Sequence, residues 1–206
     1  DPFEFNGEFW QLQRTYTNPK PIAEHIPIIN AAGSGQGREF AARNADFLFT
    51  TVITLEQTGQ EIADLKHAAQ IHGRNIDVMT LSSVFCRPTR AQAQDYFRYV
   101  VENADEGAID NIIRIMFANA ESFPKDALES LRERFAAGHG GWLLIGTPDD
   151  VADGLEELAR TGLAGTVFGF VDYIKELPYF QQEVIPRLEK KGMRFPRAYA
   201  QQVSCD

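Results

Sequence analysis

The sequence has little positive charge, few cysteines and no long apolar run. Its 20 basic residues are outnumbered by 29 acidic ones, which gives a formal net charge of -9 at pH 7. This balance argues against nucleic acid or an anionic membrane surface as the main partner. Two cysteines in 206 residues are too few for a disulfide framework or a zinc site, so we predict no metal centre.

Targeting signals are also missing. No apolar run approaches the roughly 20 residues that a membrane-spanning helix requires, and no basic-then-apolar signal peptide stands at the N-terminus. We therefore expect a cytoplasmic protein without membrane contact. The first residue is Asp1 instead of Met, so we treat the chain as a candidate piece of a longer protein.

Residues 1–21 predict a hairpin followed by a connector. Apolar residues alternate on either side of Asn6-Gly7, the dipeptide that best tolerates the positive φ angles of a type I′ turn. The two prolines of Asn18-Pro19-Lys20-Pro21 stop any strand or helix. A new unit is expected to begin after them.

Strands and helices then alternate. Four apolar runs are predicted as strands, at residues 26–32, 46–52, 78–85 and 165–171, and each precedes an amphipathic helix. Such alternation implies parallel strands joined by right-handed crossovers. Four strands that are apolar on both faces fit about the C-terminal half of a (β/α)8 TIM barrel, here a single α/β domain over residues 1–206. The missing N-terminal half, or a homo-oligomer, would have to cover the open face.

Residues 104–142 interrupt this alternation. Helical apolar spacing over 109–120 and 124–135 predicts two insert helices, and the glycines among residues 138–141 predict a mobile loop. No strand is predicted within the insert. Arg132 and Arg134 are expected on the solvated face of the second helix, with contact to an anionic substrate as the alternative.

The run GSGQG at residues 33–37 follows the first predicted barrel strand and opens a helix. Free N–H groups and the positive end of the helix dipole meet there, and glycine lets an anion approach the backbone. Phosphate is the predicted guest, and a plain strand-to-helix turn is the alternative. The spacing matches neither a Walker A loop nor GxGxxG.

A few other side chains are candidates for chemistry. Ser83 and Phe85 share the inner face of the third barrel strand with Leu81, and Asp172 and Tyr173 follow the last strand, where barrel enzymes place functional groups. We predict that Ser83, Phe85, Asp172 and Tyr173 line a substrate pocket. His139 and Tyr173 are the candidate catalytic residues, against a solvated loop histidine and a packing tyrosine as the alternatives.

Three blocks of the sequence, residues 27–46, 139–153 and 170–186, resemble the bacterial luciferase-like flavin monooxygenases. Within that family the likeness is greatest to the branch of dimethylsulfone, alkanesulfonate and pyrimidine monooxygenases. The resemblance implies a TIM barrel that uses reduced FMN and O2 to oxygenate a small organic molecule, organosulfur or heterocyclic. It also implies a separate NAD(P)H-dependent flavin reductase as the source of reduced FMN.

The resemblance carries specific residues with it. Ser34, with the backbone of Gly33 and Gly35, would hold the FMN phosphate, and the insert would be a mobile lid. Tyr173 resembles a pocket tyrosine of the sulfonate branch, whereas Leu81 and Ser83 replace that branch's basic residues and favour a neutral substrate. Two alternatives stay open: an F420-dependent oxidoreductase of the same fold, and a non-catalytic half-barrel. In every case the 206 residues alone are expected to be inactive.

Overall fold

A computed structural model describes residues 2–116 and 125–196. In the second range, side chains are described from Leu131 onward. The strands are β1 (Phe3–Asn6), β2 (Gln11–Thr15), β3 (Ile29–Asn30), β4 (Phe47–Phe49), β5 (Asp77–Cys86), β6 (Trp142–Gly146) and β7 (Gly165–Gly169). The helices are α1 (Gly35–Asn44), α2 (Leu55–Ile71), α3 (Arg90–Glu102), α4 (Glu106–Met116), α5 (Lys125–Ala136), α6 (Pro148–Arg160), α7 (Tyr173–Glu183) and α8 (Ile185–Lys190). Within those ranges, none of the helices combines the length and the apolar character that crossing a membrane requires. Residues 117–124 of the predicted insert helices lie outside the described residues.

β1 and β2 pair antiparallel in the predicted hairpin, but the connecting loop differs from the predicted one. Asn6 pairs with Gln11, so four residues connect the strands instead of two. The N–H of Gly7 donates to the carbonyl of Trp10 at 2.8 Å, and this bond closes the longer loop.

The remaining five strands form one parallel sheet. β3 pairs with β4, β4 pairs with β5, and β5 pairs with β7, in the order predicted for four consecutive barrel strands. β3 is shorter than predicted because Pro27 has no N–H and the N–H of Ile28 donates to the carboxylate of Asp46 at 2.7 Å. Only Ile29 and Asn30 are left to pair with β4.

The fifth parallel strand, β6, corrects the prediction of four parallel strands; it begins at Trp142, the last residue of the predicted insert. β6 pairs with β5 over Ser82–Cys86, beyond the three residues of β5 that pair with β4. Thr50 N donates to Met79 O, and Arg87 N donates to Gly146 O. Because alternate residues of a strand bond toward opposite edges, these bonds put β4 and β6 on the same edge of β5. The four predicted strands therefore keep their order, and β6 extends only the end of β5.

Helices cover one face of this sheet. Leu48, Val78 and Val84 point to that face and pack with buried side chains of α1, α2, α6, α7 and α8. The residues that alternate with them point to the opposite, inner face. Ile29 is 61% exposed there and Val167 is 47% exposed, so the inner face is apolar but incompletely covered by the described residues.

The start of α6 has Thr147 as N-cap, Pro148 in the first turn and Asp150 in a capping box. The N–H of Thr147 donates to the Asp150 carboxylate at 3.0 Å, and the Arg90 guanidinium donates two bonds to it at 2.6 and 2.9 Å. Arg90 and then the Thr147 N–H hold the pKa of the Asp150 carboxyl well below its usual range. Asp150 thus ties the first turn of α6 to α3.

We expect Asp150→Asn to lower the free energy of unfolding by about 1 kcal/mol near pH 7, the usual size of a lost helix cap. The folded-state pKa of Asp150 is depressed, so its stabilisation is complete above the ordinary Asp pKa of about 3.9 and is lost as the pH falls below it. The difference in free energy of unfolding between the variant and the wild type should therefore become smaller at acidic pH. Urea unfolding at a series of pH values tests this, with exposed Glu157→Gln on the same helix as the control. A gap that is constant with pH would contradict the assignment.

Candidate functional site

The predicted anion-binding turn connects β3 to α1. Ser34 is the N-cap of α1, and its hydroxyl oxygen accepts a bond from the N–H of Gly37 at 3.1 Å. The N–H of Arg38 donates to the Ser34 carbonyl. The N–H groups of Gly35 and Gln36 come first in the helix and have no intrahelical acceptor. The turn therefore presents two unused donors at the positive end of a ten-residue helix.

The three glycines of this turn serve different purposes. A Cβ atom built on Gly33 or Gly35 would meet nothing within 4 Å, so the backbone there is open to an approaching ligand. A Cβ atom on Gly37 would lie 2.3 Å from the Cβ of Ala32, which is far inside van der Waals contact. Gly37 is therefore required for close packing of α1 on the turn that precedes it, whereas Gly33 and Gly35 leave open space beside the backbone.

Asp172 and Tyr173 lie after β7, as predicted, and both make local contacts. Asp172 caps α7 by accepting bonds from the N–H groups of Ile174 and Lys175, and Lys175 in turn lowers the pKa of the Asp172 carboxyl. The Tyr173 hydroxyl donates to the carbonyl of Phe168 at 3.1 Å. The Tyr173 side chain is half exposed, so its hydroxyl could exchange this acceptor for a ligand.

A buried ion pair that the sequence analysis missed holds this turn in place. Glu176 is buried and accepts bonds from Arg87 at 2.7 Å and from the N–H of Val171 at 3.1 Å. The Arg87 guanidinium also lies 3.8 Å from the centre of the Tyr96 ring. The pair thereby joins the end of β5 to the turn after β7. No local sequence pattern indicates this pair, because its two residues are 89 positions apart.

A cavity of about 430 Å³ opens beside this ion pair. Its walls include Cys86, Tyr96 and Tyr179 together with Arg87 and Glu176. Burial raises the pKa of the Cys86 thiol to about 11, and burial and then Glu176 raise the pKa of Tyr96 to about 12. Burial therefore favours the protonated form of both groups at neutral pH.

The predicted pocket residues of β5 are covered. Ser83 is buried, and Cβ atoms built on Gly138 and Gly141 would lie 3.0 and 2.9 Å from its hydroxyl oxygen, so the glycine loop packs directly on it. Phe85 is buried against the rings of α3, with Phe97 at 5.1 Å between centroids. In the described part of the chain, neither side chain lines an open pocket.

His139 is exposed within the same glycine loop and contacts the ring of Phe135 at 6.3 Å between centroids. The structure thus brings the loop of His139 to Ser83. Among the hydrogen bonds of the described residues, none joins His139 or Tyr173 to Ser34. Over the same residues no group of three His, Cys, Asp or Glu side chains could hold a metal ion.

The two arginines of α5 differ from each other. Arg132 is part-exposed and pairs with Glu106 and Asp110 of α4, so it lies on a charged helix surface as expected, with other acidic partners. Arg134 is 5% exposed, which corrects the prediction of a solvated position. Its guanidinium donates to the carbonyl of Gly141 at 2.9 Å.

Parallel strands with helices on one face and an open glycine turn at a carboxyl end are the arrangement of part of a (β/α)8 barrel. A family model for luciferase-like monooxygenases matches residues 1–165. The chain belongs to this family.

Three comparisons give the extent of the likeness. The chain is 24% identical to an FMNH2-dependent dimethylsulfone monooxygenase of Pseudomonas fluorescens (90% of this chain, 52% of the relative). It is 26% identical to the pyrimidine monooxygenase RutA of Acinetobacter baylyi (91% and 52%). The crystal structure of DmoA from Hyphomicrobium sulfonivorans superposes with a TM-score of 0.75 at 23% identity (93% and 47%). The chain therefore spans about half the length of the curated relatives it matches.

The fold is also shared with proteins that use another cofactor. An F420-dependent secondary alcohol dehydrogenase superposes with a TM-score of 0.61 at 14% identity. Fold likeness alone therefore does not separate FMN from F420.

The glycine turn yields a paired prediction. Gly37→Ala should lower the free energy of unfolding by about 1–3 kcal/mol, since the added methyl overlaps Ala32 and packing must shift. Gly35→Ala should leave stability unchanged or raise it, because its methyl meets open space in the first turn of a helix. Guanidinium unfolding of both variants measures the difference. Equal stabilities would show that the turn does not pack as described.

Proposed function

We propose that the protein is the C-terminal half of a luciferase-like monooxygenase that uses reduced FMN and O2 to oxygenate a small organic molecule. The observation that carries the proposal is the open turn at Gly33, Ser34 and Gly35, with unused N–H donors at the start of α1. This geometry fits a dianionic phosphate. Membership of the family and the FMNH2 named for a dimethylsulfone relative support a flavin as the bearer of that phosphate.

In this proposal Gly33, Ser34 and Gly35 hold the FMN phosphate. Their backbone N–H groups and the Ser34 hydroxyl donate to the phosphate oxygens, and the dipole of α1 favours the negative charge. Bound reduced FMN supplies the electrons with which O2 is activated. The chain's own residues then have to position the substrate and keep water away from the reaction.

The exclusion of water is assigned to the insert, residues 104–142, acting as a lid. The contact of the glycine loop with Ser83 supports this, because the loop lies over the inner face of the sheet at the carboxyl end of β5. Asp172 and Tyr173 form the accessible part of the proposed substrate side of the site. Ser83 and Phe85 are the other two proposed pocket residues, and they join it only when the glycine loop and α3 move off them. His139 and Tyr173 are the candidates for hydrogen bonds to the reacting groups.

The remaining partners follow from the same chemistry. A separate NAD(P)H-dependent reductase supplies the reduced FMN, and we assign the exchange to the cytoplasm, where NAD(P)H is available. The N-terminal half of the barrel, or a second copy, covers the inner face. The exposure of apolar Ile29 and Val167 on that face supports this part of the proposal.

Two other functions have some support. The F420-dependent neighbours favour a hydride-transferring oxidoreductase of the same fold, in which the phosphate turn serves F420. The coverage of only half of each relative favours a non-catalytic half-barrel. The absorption spectra of FMN and F420 differ. The spectrum of the cofactor that copurifies with the protein, or binds in titration, therefore distinguishes an F420-dependent oxidoreductase from an FMN-dependent monooxygenase.

Titration of FMN into wild type and Ser34→Ala tests the phosphate turn. A lost hydrogen bond to a charged group costs about 1.5–3 kcal/mol, so the variant should bind FMN about tenfold more weakly or worse. Thr54→Ala is a matched control, because Thr54 caps α2 as Ser34 caps α1, with its hydroxyl accepting from Gln57 N at 3.2 Å. Equal affinities of wild type and Ser34→Ala would remove Ser34 from the site.

The assembly is tested by size-exclusion chromatography with light scattering. Because exposed apolar surface and free strand edges are unstable in water, the 206 residues should associate, or fold cooperatively only with the complementary barrel half. A cooperatively folded monomer of 23.1 kDa would contradict this expectation.

A further inference from the structure

Arg134 is a buried cation without a counter-ion among the described side chains. It is 5% exposed, and its Nη2 atom is buried and has no hydrogen-bond partner. Burial lowers the pKa of Arg134, and no acid among the described side chains offsets this effect. A guanidinium nonetheless stays charged at neutral pH, so the fold holds a desolvated positive charge.

Arg132, two residues earlier on the same helix, shows what an ordinary structural arginine looks like here. It pairs with Glu106 and Asp110 at a part-exposed position. A buried charge without such a partner destabilises the folded protein by several kcal/mol. A part-exposed ion pair therefore accounts for the charge of Arg132, whereas no such pair among the described residues accounts for the charge of Arg134.

Arg134 lies beside the start of β6. Its Nε atom donates to the Gly141 carbonyl at 2.9 Å. The Arg134 guanidinium also lies 5.6 Å from the centre of the Trp142 ring, which packs against the helix-covered core that contains Leu144. The guanidinium with the free Nη2 donor is thus held between the glycine loop and the first residue of β6.

We propose that Arg134 binds an anionic oxygen group, a carboxylate, sulfonate or phosphate, on a ligand held beside the glycine loop and Trp142. A neutral acceptor would satisfy the Nη2 donor but would leave the buried charge uncompensated, whereas an anion satisfies the donor and neutralises the charge.

Identification of this ligand as the oxygenase substrate rests on the proposed function, but the anion site does not. In that case the substrate carries an acidic oxygen group, contrary to the neutral substrate that the strand residues favour. The same chemistry could come from the flavin phosphate, and the experiment below separates the two sources by means of Ser34.

Trp142 provides a direct readout of the site. The sequence has two tryptophans, and Trp10 is exposed in the hairpin, so Trp10→Phe leaves Trp142 as the only indole. In that background the protein is titrated, in its native assembly and at constant ionic strength, with sulfate, methanesulfonate and acetate. We expect a saturable change in Trp142 fluorescence, which Arg134→Met weakens at least tenfold and Arg132→Met leaves within twofold.

Two further variants complete the test. Arg134→Lys keeps the charge but not the planar fork, so it should bind about three- to tenfold more weakly, and it decides the matter if Arg134→Met does not fold. Ser34→Ala should leave the response within twofold, which separates this site from the phosphate turn. An absent response in the Trp10→Phe protein, or equal binding by the Arg134 variants, would overturn the proposal. Loss of the response in Ser34→Ala would assign the anion to the phosphate turn and overturn it as well.

Discussion

The pairing of β5 with three other strands organises the structure. Its ten residues bond to β4 and then β6 along one edge and to β7 along the other. This one strand therefore fixes the order of the sheet, the point where the chain leaves for the insert and the point where it returns. The alternation of side chains along β5 also separates the helix-covered face, with Val78 and Val84, from the inner face with Ser83 and Phe85.

Sequence patterns predicted the elements that local chemistry determines. The caps at Thr54, Thr89 and Thr147 follow from a hydroxyl ahead of an amphipathic run, and all three are present. The four barrel strands could be predicted from the sequence because each is a short apolar run bounded by turn residues. β6 was missed because its five residues lie between the glycine loop and a capped helix, where pairing with β5 decides the outcome. The length of β3 was overestimated because Asp46, a distant residue, takes the N–H of Ile28.

The site was predictable to a similar extent. The glycine turn was found from residue type and position alone, and the structure adds that Gly37 packs while Gly33 and Gly35 stay open. Arg134 was misjudged because helical periodicity puts it on a polar stripe, although the return of the chain at Gly141 buries it. The pair of Arg87 and Glu176 joins residues 89 positions apart, which no local pattern reveals.

The segment between β5 and β6, which contains α3 and the insert, begins and ends on the same pair of strands. The chain leaves β5 after Cys86 and re-enters the sheet at Trp142, whose strand partner is Ser82. A loop whose ends are already held together loses little more entropy when it is lengthened. Changes of length or composition between Cys86 and Trp142 therefore cost the sheet almost no stability. The pairing of β5 with β6 allows the segment between them to vary while the parallel sheet stays the same.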